Sequence, residues 1–112
     1  MTINIVCLFA ILAYFLPNAY ANTEDEKTFS IAKQNACLGC HAINKKIVGP
    51  TFAAVAEKYK NDPNAQTFLK NKIVKGGSGS WGVVPMPANT KLNDAELSAV
   101  TNWILRGAPN KN

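Results

Sequence analysis

The chain has 112 residues, 47% of them hydrophobic, and carries twelve Lys and Arg against seven Asp and Glu, a formal net charge of +5. That length allows one domain at most. The basic excess is modest and scattered, with no basic helix and no stacking aromatics beside it, which argues against nucleic acid and for an acidic partner surface.

The first residues differ in kind from the rest. Ile3 to Leu16 is almost wholly apolar, and Pro17 stops any helix there. Ala19-Tyr20-Ala21 follows, the A-x-A pattern of a signal-peptidase site. The apolar run is short against the ~20 residues that a membrane-spanning helix needs. Residues 1–21 therefore read as a cleaved export signal and 22–112 as the mature domain, with the periplasm as destination. No Lys or Arg precedes Ile3, so the usual positive start of such a leader is reduced to the amino group of Met1. An uncleaved amino-terminal anchor is the competing reading. Cys7 falls inside the leader, which leaves Cys37 and Cys40 as the cysteines of the mature chain.

Thr23-Glu24-Asp25-Glu26 has the form of a capping box and predicts a helix from there to about Ala36. Phe29, Ala32 and Ala36 recur at helical spacing, and the two alanines would let another helix approach closely. This helix delivers the chain into Cys37-Leu38-Gly39-Cys40-His41.

C-x-x-C-H reads as covalent attachment of a c-type haem. Two thiols add to the two vinyl groups of the porphyrin, and the two-residue spacer puts the next residue, His41, beneath the iron. Three other readings compete. A zinc site needs four ligands, and outside the motif the chain has no other His and only the remote Cys7. A thioredoxin-like dithiol belongs where a strand enters a helix, whereas the residues before Cys37 read as helical. A plain disulfide would leave His41 without a role.

After His41, Asn44 to Pro50 reads as a loop ending in a Gly-Pro turn. Thr51 caps a second helix, in which Phe52, Val55, Ala56 and Tyr59 follow the i, i+3, i+4, i+7 pattern. Asp62-Pro63 is a cap followed by Pro at the first helical position, and Ala65, Phe68, Leu69 and Ile73 line one face of the third helix, which Gly76 and Gly77 end. Gly77-Ser78-Gly79-Ser80-Trp81-Gly82 matches the dinucleotide-binding G-x-G-x-x-G letter for letter. Its context refutes that reading: a helix precedes it, and Val83-Val84-Pro85-Met86-Pro87 follows, which no helix interior accommodates. The glycines suit a loop that bends closely over a cofactor. Asn93-Asp94-Ala95-Glu96 opens the last helix with a capping box, Leu97, Val100, Trp103 and Ile104 form its stripe, and Arg106 and Gly107 stop it. The fold class predicted is all-α: four short helices and long loops wrapped around one prosthetic group.

A haem with His41 on one side leaves the opposite axial position open. There is no second His, and Met86 is the only methionine outside the leader. It sits between two prolines that hold it extended and stiff. Core filling is the ordinary role of a lone Met, but Pro-Met-Pro downstream of C-x-x-C-H favours Met86 as the distal ligand, since Met/His ligation is the cytochrome c arrangement.

The chain resembles the small class I bacterial cytochromes c of the cytochrome c-551 type over essentially the whole region after the leader. The likeness rests on Cys37-x-x-Cys40-His41, Val48-Gly49-Pro50, Trp81-Gly82, Pro85-Met86-Pro87 and Trp103. It implies that the Pro50 carbonyl accepts a hydrogen bond from the proximal imidazole, that Asn89 donates to the Met86 sulfur, and that the Trp81 indole bonds a haem propionate. Lys72 stands where some relatives have an Arg near a propionate, and can supply charge there but not a planar fork. The first and last helices are expected to cross, with Ala32 and Ala36 facing Trp103.

The function expected is a soluble periplasmic electron carrier, monomeric, with one covalent haem c iron ligated by His41 and Met86. It would shuttle between respiratory partners of the reductase and the oxidase or nitrite-reductase type, meeting a membrane only through them. Lys33, Lys45 and Lys46 would steer an acidic partner surface. A peroxidase-like haem enzyme or a gas sensor would need the distal side vacant, and a structural dithiol domain would be colourless.

Overall fold

A computed structural model describes residues 18–110, so the predicted leader up to Pro17, including Cys7, lies outside the described residues. Four helices follow in order: α1 (Asn18–Gln34), α2 (Phe52–Tyr59), α3 (Ala65–Lys75) and α4 (Asp94–Leu105), with a single 3₁₀ turn at Cys37–Gly39. Among the described residues there is no sheet, only one isolated antiparallel bridge between Gly77 and Met86. No helix among them is long and apolar enough to cross a membrane. The predicted all-α class is the one found.

Two predicted starts hold to the residue. Thr51 Oγ1 accepts from the Ala54 amide at 3.0 Å and opens α2. Asn93 opens α4 with a complete capping box, its side chain accepting from Glu96 N at 2.9 Å while Glu96 Oε2 accepts from Asn93 N at 3.0 Å. Two others move. α1 is already helical at Asn18, the first described residue, and runs through Thr23; strong helix formers such as Ala21 precede the predicted cap, so Thr23 is an interior position of the helix. The predicted cleavage site therefore lies within this helix. α3 begins at Ala65, because Asp62 Oδ1 and Asp62 O take the amides of Asn64 and Ala65 and close a tight turn before the helix proper.

α4 packs against each of the other three helices. Its Trp103, Val100 and Thr101 are fully buried, and the Thr101 hydroxyl is satisfied by donating to Leu97 O at 2.7 Å. Trp103 meets Phe29 of α1 edge-on at 6.2 Å and Phe52 of α2 at 5.3 Å, and its indole N–H donates to Pro109 O. Ala32 is buried on α1, as the crossing of first and last helices requires. Ala36 is not: α1 stops at Gln34, and Ala36 is exposed with φ of 60°. The chain must reverse there to enter the 3₁₀ turn, so Ala36 takes the left-handed position that ends the helix and never reaches Trp103. An ion pair between Arg106 and Asp25, 2.6 Å, ties the end of α4 to α1.

Candidate functional site

The turn at Cys37–His41 is closed by its own backbone. Cys40 N–H and His41 N–H both donate to Cys37 O, at 3.2 and 2.9 Å, which curls the five residues so that the two thiols and the imidazole gather at one place. The following loop then folds back: Gly49 N–H donates to Cys40 O at 2.8 Å, and Phe52 and Ala53 donate to Ala42 O and Ile43 O. This return brings Pro50 beside the ring, where His41 Nδ1 and Pro50 O are 2.7 Å apart. A carbonyl can only accept, so Nδ1 carries the proton and Nε2 keeps its lone pair free for a metal. Gly49 lies so close that a Cβ there would press into the imidazole, 2.5 Å from Cε1 and 2.8 Å from Nδ1. The ring also stacks on Phe52, with centroids 5.4 Å apart and planes 21° from parallel.

Met86 is positioned from the opposite stretch of chain. α3 ends at Gly76, whose φ of 65° and ψ of −152° belong to a region open essentially to glycine alone. A Cβ there would collide with the backbone of Met86, Pro87 and Ala88. Immediately afterwards Gly77 and Met86 exchange two hydrogen bonds, each 2.9 Å, and Asn89 N–H donates to Ile73 O at 2.8 Å. Met86 is thereby fixed at the end of α3, half-buried, against the core.

These pieces surround one cavity of about 490 Å³, well inside the range of small-molecule and cofactor sites. Cys37, Cys40, His41, Pro50, Met86, Lys72 and Trp81 all line it, with Phe52 and Val55 of α2, Leu69 and Ile73 of α3, and Val100 and Ile104 of α4 forming apolar walls. The cysteines are free thiols, and burial pushes the Cys37 thiol above its ordinary pKa against a smaller opposing pull from a backbone hydrogen bond. Two thiols, an imidazole with its outer nitrogen available and one thioether, in an apolar chamber with charge only at its rim, form a donor set that fits a covalently attached haem. They do not fit zinc: no group of three or more His, Cys, Asp or Glu gathers to hold a metal among the described residues.

The other predicted residues are placed as follows. Lys72 has its ammonium 6.0 Å from the Phe68 ring centroid and in no ion pair among the described residues. Trp81 is half-exposed, covered by Lys58 Nζ at 4.4 Å from its ring centroid, and its indole N–H has no protein acceptor among the described residues. Asn89 does not line the cavity; its Nδ2 faces Asn35 Oδ1 at 3.4 Å and its Oδ1 accepts from Lys91 N at 2.9 Å. Sequence reasoning missed two participants. Phe52 reads as an ordinary core position from its spacing, and nothing in the sequence marks Lys58. Phe68, which the spacing puts on one face of α3 with Leu69 and Ile73, lines the cavity with them, is 37% exposed and packs on Tyr59 at 5.2 Å.

An all-α domain whose helices enclose a chamber reached by C-x-x-C-H defines a small haem-binding protein. Comparison with known proteins gives its family. The cytochrome c family model matches residues 26–108. The chain is 44% identical over 75 residues to a cytochrome c-552 of Nitrosomonas europaea, a match covering 67% of this chain and 73% of that one. It is 48% identical over 75 residues to a cytochrome c-552 of Hydrogenobacter thermophilus, covering 67% and 76%. The crystal structure of wild-type Nitrosomonas europaea cytochrome c552 superimposes with a TM-score of 0.67 at 42% identity, covering 70% of this chain and 96% of that one. The chain belongs to the cytochrome c family. It is thus a monohaem electron carrier with covalently bound haem c, and not an enzyme.

Proposed function

We propose that the chain is a soluble periplasmic electron carrier, exported by cleavage after Ala21, in which Cys37 and Cys40 hold the porphyrin and His41 and Met86 ligate its iron. One observation carries this reading. The His41 Nδ1–H bond to Pro50 O, 2.7 Å, leaves Nε2 as the lone-pair donor on the wall of a cavity that Met86 shares. When bound, the haem supplies a one-electron couple, with a potential raised by Met/His ligation.

The chain's own part is to hold and to exclude. Pro50 fixes the imidazole's tautomer and rotation and raises its basicity. Phe52 bears on the ring face, so the imidazole cannot tilt without disturbing the core. The paired hydrogen bonds between Gly77 and Met86, with a proline on each side, restrict the thioether to a narrow range of positions. A ligand held this firmly needs little rearrangement when the charge on the metal changes. Apolar walls keep water away and favour the less charged, reduced state. Trp81 and Lys72 at the cavity wall suit the two propionates, and Asn89 has a second N–H for the Met86 sulfur.

With His41 and Met86 both engaged, the iron would have no position for a substrate, and the chain would exchange electrons with respiratory partners with acidic docking surfaces, of the reductase and the oxidase or nitrite-reductase type. Lys33, Lys45 and Lys46 are exposed on the chain segments flanking the haem motif and supply the steering charge. The carrier works as a monomer.

The test is Met86→Ala in protein exported with haem maturation intact. Wild type is expected to show the ferric sulfur-to-iron band near ~700 nm. The variant is expected to lose it, drop in potential and bind added imidazole. Unchanged spectrum, potential and ligand access would exclude Met86 as ligand. The mass of the wild-type protein should show one added haem and the loss of residues 1–21.

A further inference from the structure

The stretch from Ser78 to Pro85 carries Trp81 and leads to Met86, yet little holds it. Val83 is 91% exposed and Val84 64% exposed, and the segment's own backbone contributes one internal hydrogen bond, Gly79 N–H to Gly82 O at 2.8 Å. Among the described residues a single hydrogen bond joins it to the helices: Lys58, in the last turn of α2, donates from Nζ to Ser80 O at 2.6 Å. The same ammonium stands 4.4 Å from the centroid of the Trp81 ring and 5.6 Å from that of Tyr59. One charged group thus grips the loop twice, once through a carbonyl and once through an aromatic face, and anchors it to the helix that also supplies Phe52.

We propose that Lys58 is a positioning residue for the haem site: a latch that holds the Ser78–Pro85 loop closed over the cavity and so keeps Met86 at the iron. The proposal rests on Met86 as the distal ligand, the reading given above. The ammonium cannot be replaced by any hydrogen-bonding neutral group of equal reach, because cover of the indole depends on its charge. Arginine can replace it, since a guanidinium also donates and stacks on aromatic faces. A charge-assisted hydrogen bond and a cation–π contact at an exposed site together are of the size that changes an opening equilibrium about tenfold. Opening the loop releases the thioether and admits other ligands, so the latch acts on ligand exchange at the iron and leaves the helical core alone.

The experiment compares holoprotein of wild type, Lys58→Met and Lys58→Arg by two readouts: ferric imidazole affinity and hydrogen exchange of the Gly79 and Met86 amides. In Lys58→Met the imidazole affinity is expected to rise about tenfold and the two amides to exchange about tenfold faster, while amides in the middle of α4 keep their rates. Lys58→Arg is expected to return both to wild type. Wild-type affinity and wild-type exchange in Lys58→Met would overturn the latch. Should wild type lack the band near ~700 nm, the ligation reading fails by itself, and the exchange rates still decide whether Lys58 holds the loop.

Discussion

The imidazole of His41 lies flat on the ring of Phe52, 5.4 Å between centroids. Phe52 in turn meets Trp103 edge-on at 5.3 Å, so His41 is braced by the aromatic centre of the fold. Phe52 is 3% exposed, and Phe52→Leu is expected to cost ~1–2 kcal/mol, less than the ~3–5 of a Phe→Ala truncation. The fall in the urea midpoint of the holoprotein measures this, and the ring-proton shifts of His41 should move with it. An unmoved His41 would mean that the stack does not orient the ring.

Gly49→Ala tests a second contact of the same ring. The added methyl would press on Cε1 and Nδ1 of His41 and displace the imidazole from Pro50. A higher reduction potential is expected, together with a weaker bond from His41 to the iron seen by resonance Raman, since a ligand deprived of its carbonyl partner donates less and stabilises the ferric state less.

At Gly76 the obstacle is backbone, which has nowhere to go. Gly76→Ala is expected to cost on the order of 2–3 kcal/mol from conformation alone, and to lower the temperature at which the sulfur-to-iron band disappears more than the temperature at which α4 unfolds.

Ala36 offers the opposite sign. It occupies a left-handed conformation that costs a non-glycine residue ~1 kcal/mol or more. Ala36→Gly is therefore expected to raise stability by up to ~1 kcal/mol, with the spectrum unchanged. A drop in the denaturation midpoint would show that the residue is not strained.

Two effects should respond to salt. Asp25→Asn breaks the 2.6 Å pair with Arg106; because Arg106 is half-exposed, the expected loss is below ~1 kcal/mol and shrinks in concentrated salt. Electron exchange with an acidic partner should slow as ionic strength rises, and flat salt dependence would remove Lys33, Lys45 and Lys46 from the steering role.

What could be read from the residues was whatever local chemistry dictates. Thr51 and Asn93 cap because their side-chain oxygens reach amides a few residues on, whatever the surroundings. Cys37, Cys40 and His41 are legible because attachment chemistry imposes their spacing. Thr23 misled for the converse reason: a good cap does not terminate a helix that has favourable residues on both sides of it. Ala36 was assigned to a helical face by periodicity, which carries no notice of where the chain must reverse. The stack of His41 on Phe52 and the reach of Lys58 to Ser80 join residues distant along the chain, and only tertiary packing creates them.

α4 is the last helix and the one that touches the other three. Under the proposed export, a chain passing amino terminus first through a narrow channel would present Cys37, Cys40 and His41 well before the segment that walls them in. The thiols would then stand open to haem attachment, and docking of the final helix would shut the finished pigment inside. Order of emergence and order of burial would be matched by topology alone.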